Sequence, residues 1–161
     1  MKPALLISMA GLAAILIAAT AAPMHAAPAD TASVPNACTL LSTEELGRLL
    51  DNPIRRPRPG TAEKGTTCRF AVGATDTLNI SIWPTTPKDF DAFKKILADD
   101  GVKLDNISGV GDEGYYWDNR LYVRAGDKGI TVWFGVPAGG VDQKQRKTVF
   151  SVANAAVNRL R

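Results

Sequence analysis

Two runs in the stretch 111–136, GDEGYYWDNRLYVRAGDKGITVWFGV, have an apolar residue at every second position. Leu121, Val123 and Ala125 alternate with Tyr122 and Arg124, and Ile130, Val132, Phe134 and Val136 alternate with Thr131 and Trp133. A period of two sends these sets to opposite faces of a pleated sheet. One face must pack on a core. The other carries aromatic and hydrogen-bonding groups that a merely solvated face does not require. Gly126-Asp127-Lys128-Gly129 supplies a tight turn between the last two strands.

The chain before this group supplies the layer that would cover its apolar side. Ser42 and Glu45 stand at capping-box spacing, Leu41 can staple against Leu46, and Leu46, Leu49 and Leu50 form one stripe, so a helix starts here and ends at Asn52-Pro53. The segment 52–67, NPIRRPRPGTAEKGTT, reads as an exposed loop because of its prolines and glycines, and Arg55, Arg56 and Arg58 make it the densest positive patch. It is either a solvated loop or a contact for an acidic partner or anionic surface. Cys68 to Val72 then alternates as a strand. Leu78, Ile80 and Ile82 on the return strand face away from Asn79, Ser81 and Trp83.

Thr86 caps the next helix, with Pro87 at its first position and Asp89 near its positive end. Phe90, Phe93 and Leu97 are spaced for one buried face, and Gly101 is the stop. Gly109-Val110-Gly111 is a turn using positive φ rather than a phosphate loop, since Asp112 and Glu113 would repel a phosphate. These two carboxylates are adjacent, so on an extended chain they point to opposite faces and do not form an acid–base pair. Pro137-Ala138-Gly139-Gly140 ends the strand group. Asp142 caps a last helix, with Gln145 at capping-box distance, whose Val149, Val152, Ala153, Ala156, Val157 and Leu160 keep helical spacing. Lys144, Arg146 and Lys147 near its start oppose the usual dipole preference.

The first 29 residues read as a secretory signal peptide: Lys2, then an uncharged apolar run over 4–19, then Ala-x-Ala sites at 19–21 and 27–29, the second preferred. The run is shorter than the ~20 residues of a membrane-spanning helix. Membrane anchoring follows only if this leader stays uncleaved, with the Pro/Ala linker over 30–37 as the tether. Removal takes Lys2 and no acid, so nineteen basic residues become eighteen against sixteen acids. So small a surplus gives no footing for nucleic acid. The one histidine, His25, leaves with the leader, and with it ordinary Ser-His or Cys-His activation and histidine metal sites. No metal or cofactor is expected. Cys38 and Cys68, in a chain bound for an oxidising compartment, read as one disulfide, worth roughly 3–4 kcal/mol on the chain-entropy model; a thiol nucleophile would lack an activating base.

The expected architecture over 38–161 is a single α+β domain in order α-β-β-α-β-β-β-α. It is a two-layer sandwich with an antiparallel sheet of about five strands and the helices on one face. Trp83, Tyr122, Arg124, Trp133 and Tyr116 then share the uncovered face as candidate binding residues. The run ACTLLSTEEL over 37–46, a second cysteine opening a strand, and GVGDEG over 109–114 ahead of Tyr115-Tyr116 resemble a broad group of small exported bacterial domains. The group includes actinobacterial lipoproteins of unknown function, and the pattern is also similar to extracellular sensor domains of bacterial serine/threonine kinases. The resemblance implies a cysteine-stapled α+β fold used for binding, with no catalytic set. The lipid-attachment cysteine at the signal end is missing.

The function expected is a non-enzymatic binding module, exported to the periplasm or secreted. It would recognise a cell-envelope protein through the aromatic-polar face, where Trp, Tyr and Arg are hot-spot types. An inhibitor or immunity protein is one such role. The alternative is cell-wall glycan or carbohydrate binding, with Trp83 and Trp133 stacking on sugar rings beside Asn79, Ser81 and Arg124. An enzyme would have only Asp112, Glu113, Asp118 and Asp127 near the sheet, all assigned to turns, and a glycosidase needs two facing carboxyls.

Overall fold

The computed structural model describes residues 34–62, 65–135 and 143–161. The leader, its cleavage sites, the linker up to residue 33, the stop at 137–140 and the Asp142 cap lie outside the described residues. The order is α1 (Ala37–Leu40), α2 (Thr43–Leu50), β1 (Arg58–Ala62), β2 (Gly65–Val72), β3 (Asp76–Pro84), α3 (Pro87–Asp99), β4 (Asp105–Ile107), β5 (Glu113–Trp117), β6 (Arg120–Ala125), β7 (Lys128–Gly135) and α4 (Gln143–Leu160). All strand pairs are antiparallel, in one sheet ordered β1-β2-β3-β7-β6-β5-β4.

The antiparallel α+β expectation holds, but the sheet has seven strands rather than five and the element order is longer. β1 is the main addition, formed inside the segment read as an exposed loop. Pro59 and Gly60 disguise it. They are tolerated because β1 is the sheet's edge, where a proline removes no ladder bond that a neighbour needs. β4 has three residues and α1 four, too short to carry a period.

Local caps set the helices as their sequences predict. The Ser42 hydroxyl accepts from the Glu45 amide at 3.0 Å, and the Thr86 hydroxyl accepts from the Asp89 amide at 3.1 Å. Asp51, in the left-handed region (φ 50°), closes α2, and Gly101 (φ 77°) follows α3. Leu46, Ile80, Ile82, Leu121, Val123, Ile130 and Val132 are fully buried together, under Val149, Val152, Ala153 and Ala156 of α4. The disulfide Cys38–Cys68, with Cα atoms 4.9 Å apart, ties α1 to β2. Beside it the Thr66 hydroxyl accepts from the Ala37 amide (2.9 Å) and donates to the Pro35 carbonyl (2.7 Å).

The helices do not gather on one face. α1, α2 and α4 cover the Leu121–Val123 side, whereas α3 packs on the other, where Phe90 and Leu97 form a separate cluster with Tyr115. Alternation gives β5 and β6 a second apolar side in Tyr115, Trp117 and Tyr122, enough to recruit a helix. Phe90 is buried as expected. Phe93 is not: it is 42% exposed. Among the charges early in α4, the Arg146 guanidinium pairs with Asp105 at 2.9 Å and lies 4.4 Å above the centre of the Tyr116 ring, which offsets its unfavourable dipole position. Nothing in the structure explains Lys144 and Lys147.

Candidate aromatic binding pocket

α3 covers the second face only in part and leaves a pocket of about 310 Å³ between itself and the sheet. Its floor is a set of cross-strand pairs. Trp83 of β3 stands opposite Gly129 of β7, and a Cβ at 129 would collide with the indole, so the glycine is what lets the ring lie flat on the strand. Trp133 stands opposite Arg120, whose guanidinium lies 5.0 Å from the centre of the indole ring. Tyr122 is opposite Tyr115, the rings stacked at 5.0 Å with planes 14° apart. Phe90 meets Tyr115 at 5.4 Å and Phe93 meets Tyr122 at 6.1 Å, so α3 supplies the roof.

The polar groups are few and placed around the rings. The Ser81 hydroxyl bonds that of Thr67 at 2.7 Å, and the Asp89 carboxylate accepts from the Thr86 hydroxyl at 2.7 Å at the start of α3. The Tyr115 hydroxyl is fully buried and has no hydrogen-bond partner among the described residues. Burial pushes its phenol well above the usual range, and the neighbouring Tyr122 adds to this. Tyr122 is raised by burial too, with Arg120 opposing. The phenol of Tyr115 thus stays protonated, its hydroxyl enclosed in the packing beside the pocket.

Three of the five sequence-predicted face residues, Trp83, Tyr122 and Trp133, line the pocket. Arg124 shares their face but is engaged elsewhere. It pairs with Glu113, directly opposite in register, and with Asp112 at 3.0 Å, and it donates to the Gly126 carbonyl at 2.9 Å. The hydrogen bond to Glu113 raises its pKa further. Tyr116 lies on the opposite face, stacked on Phe150 at 6.3 Å. Adjacent strand residues cannot share a face, so register selects one tyrosine of the pair, and the one that meets Tyr122 is Tyr115. Asp118 and Asn119, both at positive φ (47° and 58°), form the two-residue turn that fixes this register. That dipeptide was the signal from which Tyr115 and Arg120 were readable.

No protein-family model, curated protein or solved structure matches this chain. Its site must be read from its own chemistry.

The expectation that Asp112 and Glu113 point apart fails. Asp112 precedes β5, on a bend set by Gly111 (φ 69°), so both carboxylates turn onto Arg124. Asp118 lies 3.8 Å from Arg120, and Asp127 lies 2.6 Å from Lys128. Each of the four acids considered for catalysis is therefore in an ion pair. Among the described residues no three His, Cys, Asp or Glu gather as a metal-ligand set. Arg55, Arg56 and Arg58 are separate from the pocket and line another depression with Arg69.

Proposed function

We propose that the protein is a non-enzymatic binding module of the cell envelope, exported through the leader over 1–29, which docks a partner protein by taking an apolar side chain into the aromatic pocket. One observation carries the choice of a protein partner. The exposed large hydrophobics among the described residues, Phe93 (42%) and Ile96 (57%), both lie on α3, and Phe93 is part of the pocket rim. An apolar rim beside a concave aromatic site fits a hot-spot anchor and its surround. The volume is suitable: an apolar cavity of ~150 Å³ accepts benzene, so about 310 Å³ accommodates a ring-bearing side chain with room for its stem. The disulfide is compatible with an oxidising compartment, and no helix among the described residues is long and apolar enough to cross a membrane.

Cell-wall glycan is the second reading, favoured by Trp83 and Trp133 lining one pocket with Ser81, Asp89 and Arg120. The deciding experiment is capture from envelope extract with the purified protein, beside Phe93→Ser/Ile96→Ser and Trp133→Ala. The outcome expected is one protein held by the wild type and lost by both variants, with affinity for that purified protein weakened about 10- to 100-fold. Equal capture by all three sinks the proposal. Absence of a captured protein together with a tryptophan fluorescence response to peptidoglycan fragments transfers the pocket to the glycan reading.

A further inference from the structure

A second depression, about 360 Å³, opens on the β1–β2 side of the molecule and is lined by Arg55, Arg56, Arg58 and Arg69 with Ala71 and Thr77. Among the described residues no carboxylate lines it and none of the four arginines is in an ion pair. Arg58 and Arg69 stand directly opposite each other in the β1–β2 register, an arrangement of like charges that costs stability. The backbone holds them there nonetheless. The Arg55 amide donates to the Ala71 carbonyl at 2.9 Å, the Gly73 amide donates to the Pro53 carbonyl at 3.1 Å, and Ile54 bridges Val72. Prolines at 53, 57 and 59 fix the chain between these ties, and Pro59 is paired with the disulfide residue Cys68. Guanidiniums that repel one another are therefore presented on a pinned backbone around one volume.

We infer that this depression is a binding site for a phosphate-bearing ligand, independent of the aromatic pocket. One guanidinium fork already satisfies the two oxygens of a carboxylate. Several forks around one depression, from β1, β2 and the segment before β1, match the tetrahedral array of oxygens and the greater charge of a phosphate. The phosphate comes either from a soluble phosphorylated molecule or from a lipid headgroup, and the two sources are separable.

The test is calorimetric titration with inorganic pyrophosphate, beside co-sedimentation with vesicles of phosphatidylglycerol and phosphatidylcholine in equal parts. The proteins are wild type, Arg58→Gln/Arg69→Gln and, as a control, Arg120→Gln. All three altered side chains are partly or largely exposed, and thermal unfolding confirms that each variant is folded. Pyrophosphate binding that weakens about tenfold or more in the double variant, falls with salt and persists in Arg120→Gln supports the site. Vesicle binding with the same variant pattern but no pyrophosphate binding assigns the phosphate to a lipid headgroup. Binding of neither probe, binding unchanged in the double variant, or tighter binding of poly-glutamate than of pyrophosphate overturns the inference.

Discussion

At the scale of single residues, Tyr115 is the most informative side chain. Its ring is packed between Phe90 and Tyr122, yet its hydroxyl is buried without a partner among the described residues. An unsatisfied buried hydroxyl costs stability, while the ring earns its place by packing. Tyr115→Phe should accordingly leave stability unchanged or raise it by up to about 1 kcal/mol in urea unfolding. The same variant should bind the partner protein as tightly as the wild type does, because an apolar side chain asks nothing of that buried hydroxyl. A clear loss of stability would mean that the hydroxyl is already satisfied in the free protein. The tyrosine beside it is indistinguishable by composition, and only the Tyr115–Tyr122 register separates the two.

At the scale of elements, the junction of α1 and β2 depends on Cys38–Cys68 and on the two hydrogen bonds of Thr66. A four-residue helix has no stability of its own, since nucleation outweighs a single turn of hydrogen bonds. The cross-link closes a separation of 30 residues, so Cys38→Ser/Cys68→Ser should lose roughly 3–4 kcal/mol. Urea unfolding with and without reductant checks this: reductant should lower the wild-type midpoint and leave that of the double variant unmoved. The caps of α2 and α3 were legible because Ser42 and Thr86 act within three residues of themselves. Which side of the sheet α3 covers was not. Its Phe90, Phe93 and Leu97 spacing promises a buried stripe, but the sheet determines how much of that stripe finds a partner, and Phe93 is left at the rim.

At the scale of the molecule, Asp112 joins the sheet to the end of the chain. Its carboxylate accepts from the Gly126 amide at 2.7 Å and pairs with Arg124 and, past α4, with Arg161, each at 3.0 Å. The Gly126 hydrogen bond, aided by Arg161 and Arg124, holds its pKa below the ordinary carboxylate value. A depressed folded-state pKa gives stability that is present above the unfolded value, near ~3.9, and is lost as pH falls through the folded one. Asp112→Asn should then be less stable than wild type at neutral pH by at most about 1 kcal/mol, because the pair is partly solvated. The gap should close in urea unfolding as pH falls through the depressed folded-state value. A difference that persists in acid would trace to packing instead of charge.

The sequence by itself determined the local and periodic features: the strand alternation, the helix caps, the positive-φ glycines and the side of its own strand, opposite the apolar set, on which each of Trp83, Tyr122 and Trp133 stands. Each is set by residues a few positions apart, through side-chain period, capping hydrogen bonds or backbone sterics. Tertiary structure alone decided that β1 forms as an edge despite its proline, and that α3 roofs the face of Trp83 and Trp133 to make a pocket. It also turned Arg124 inward to Asp112 and Glu113. These outcomes depend on strand register and on the competition of distant groups for one partner, and neither is encoded in any single window of the chain.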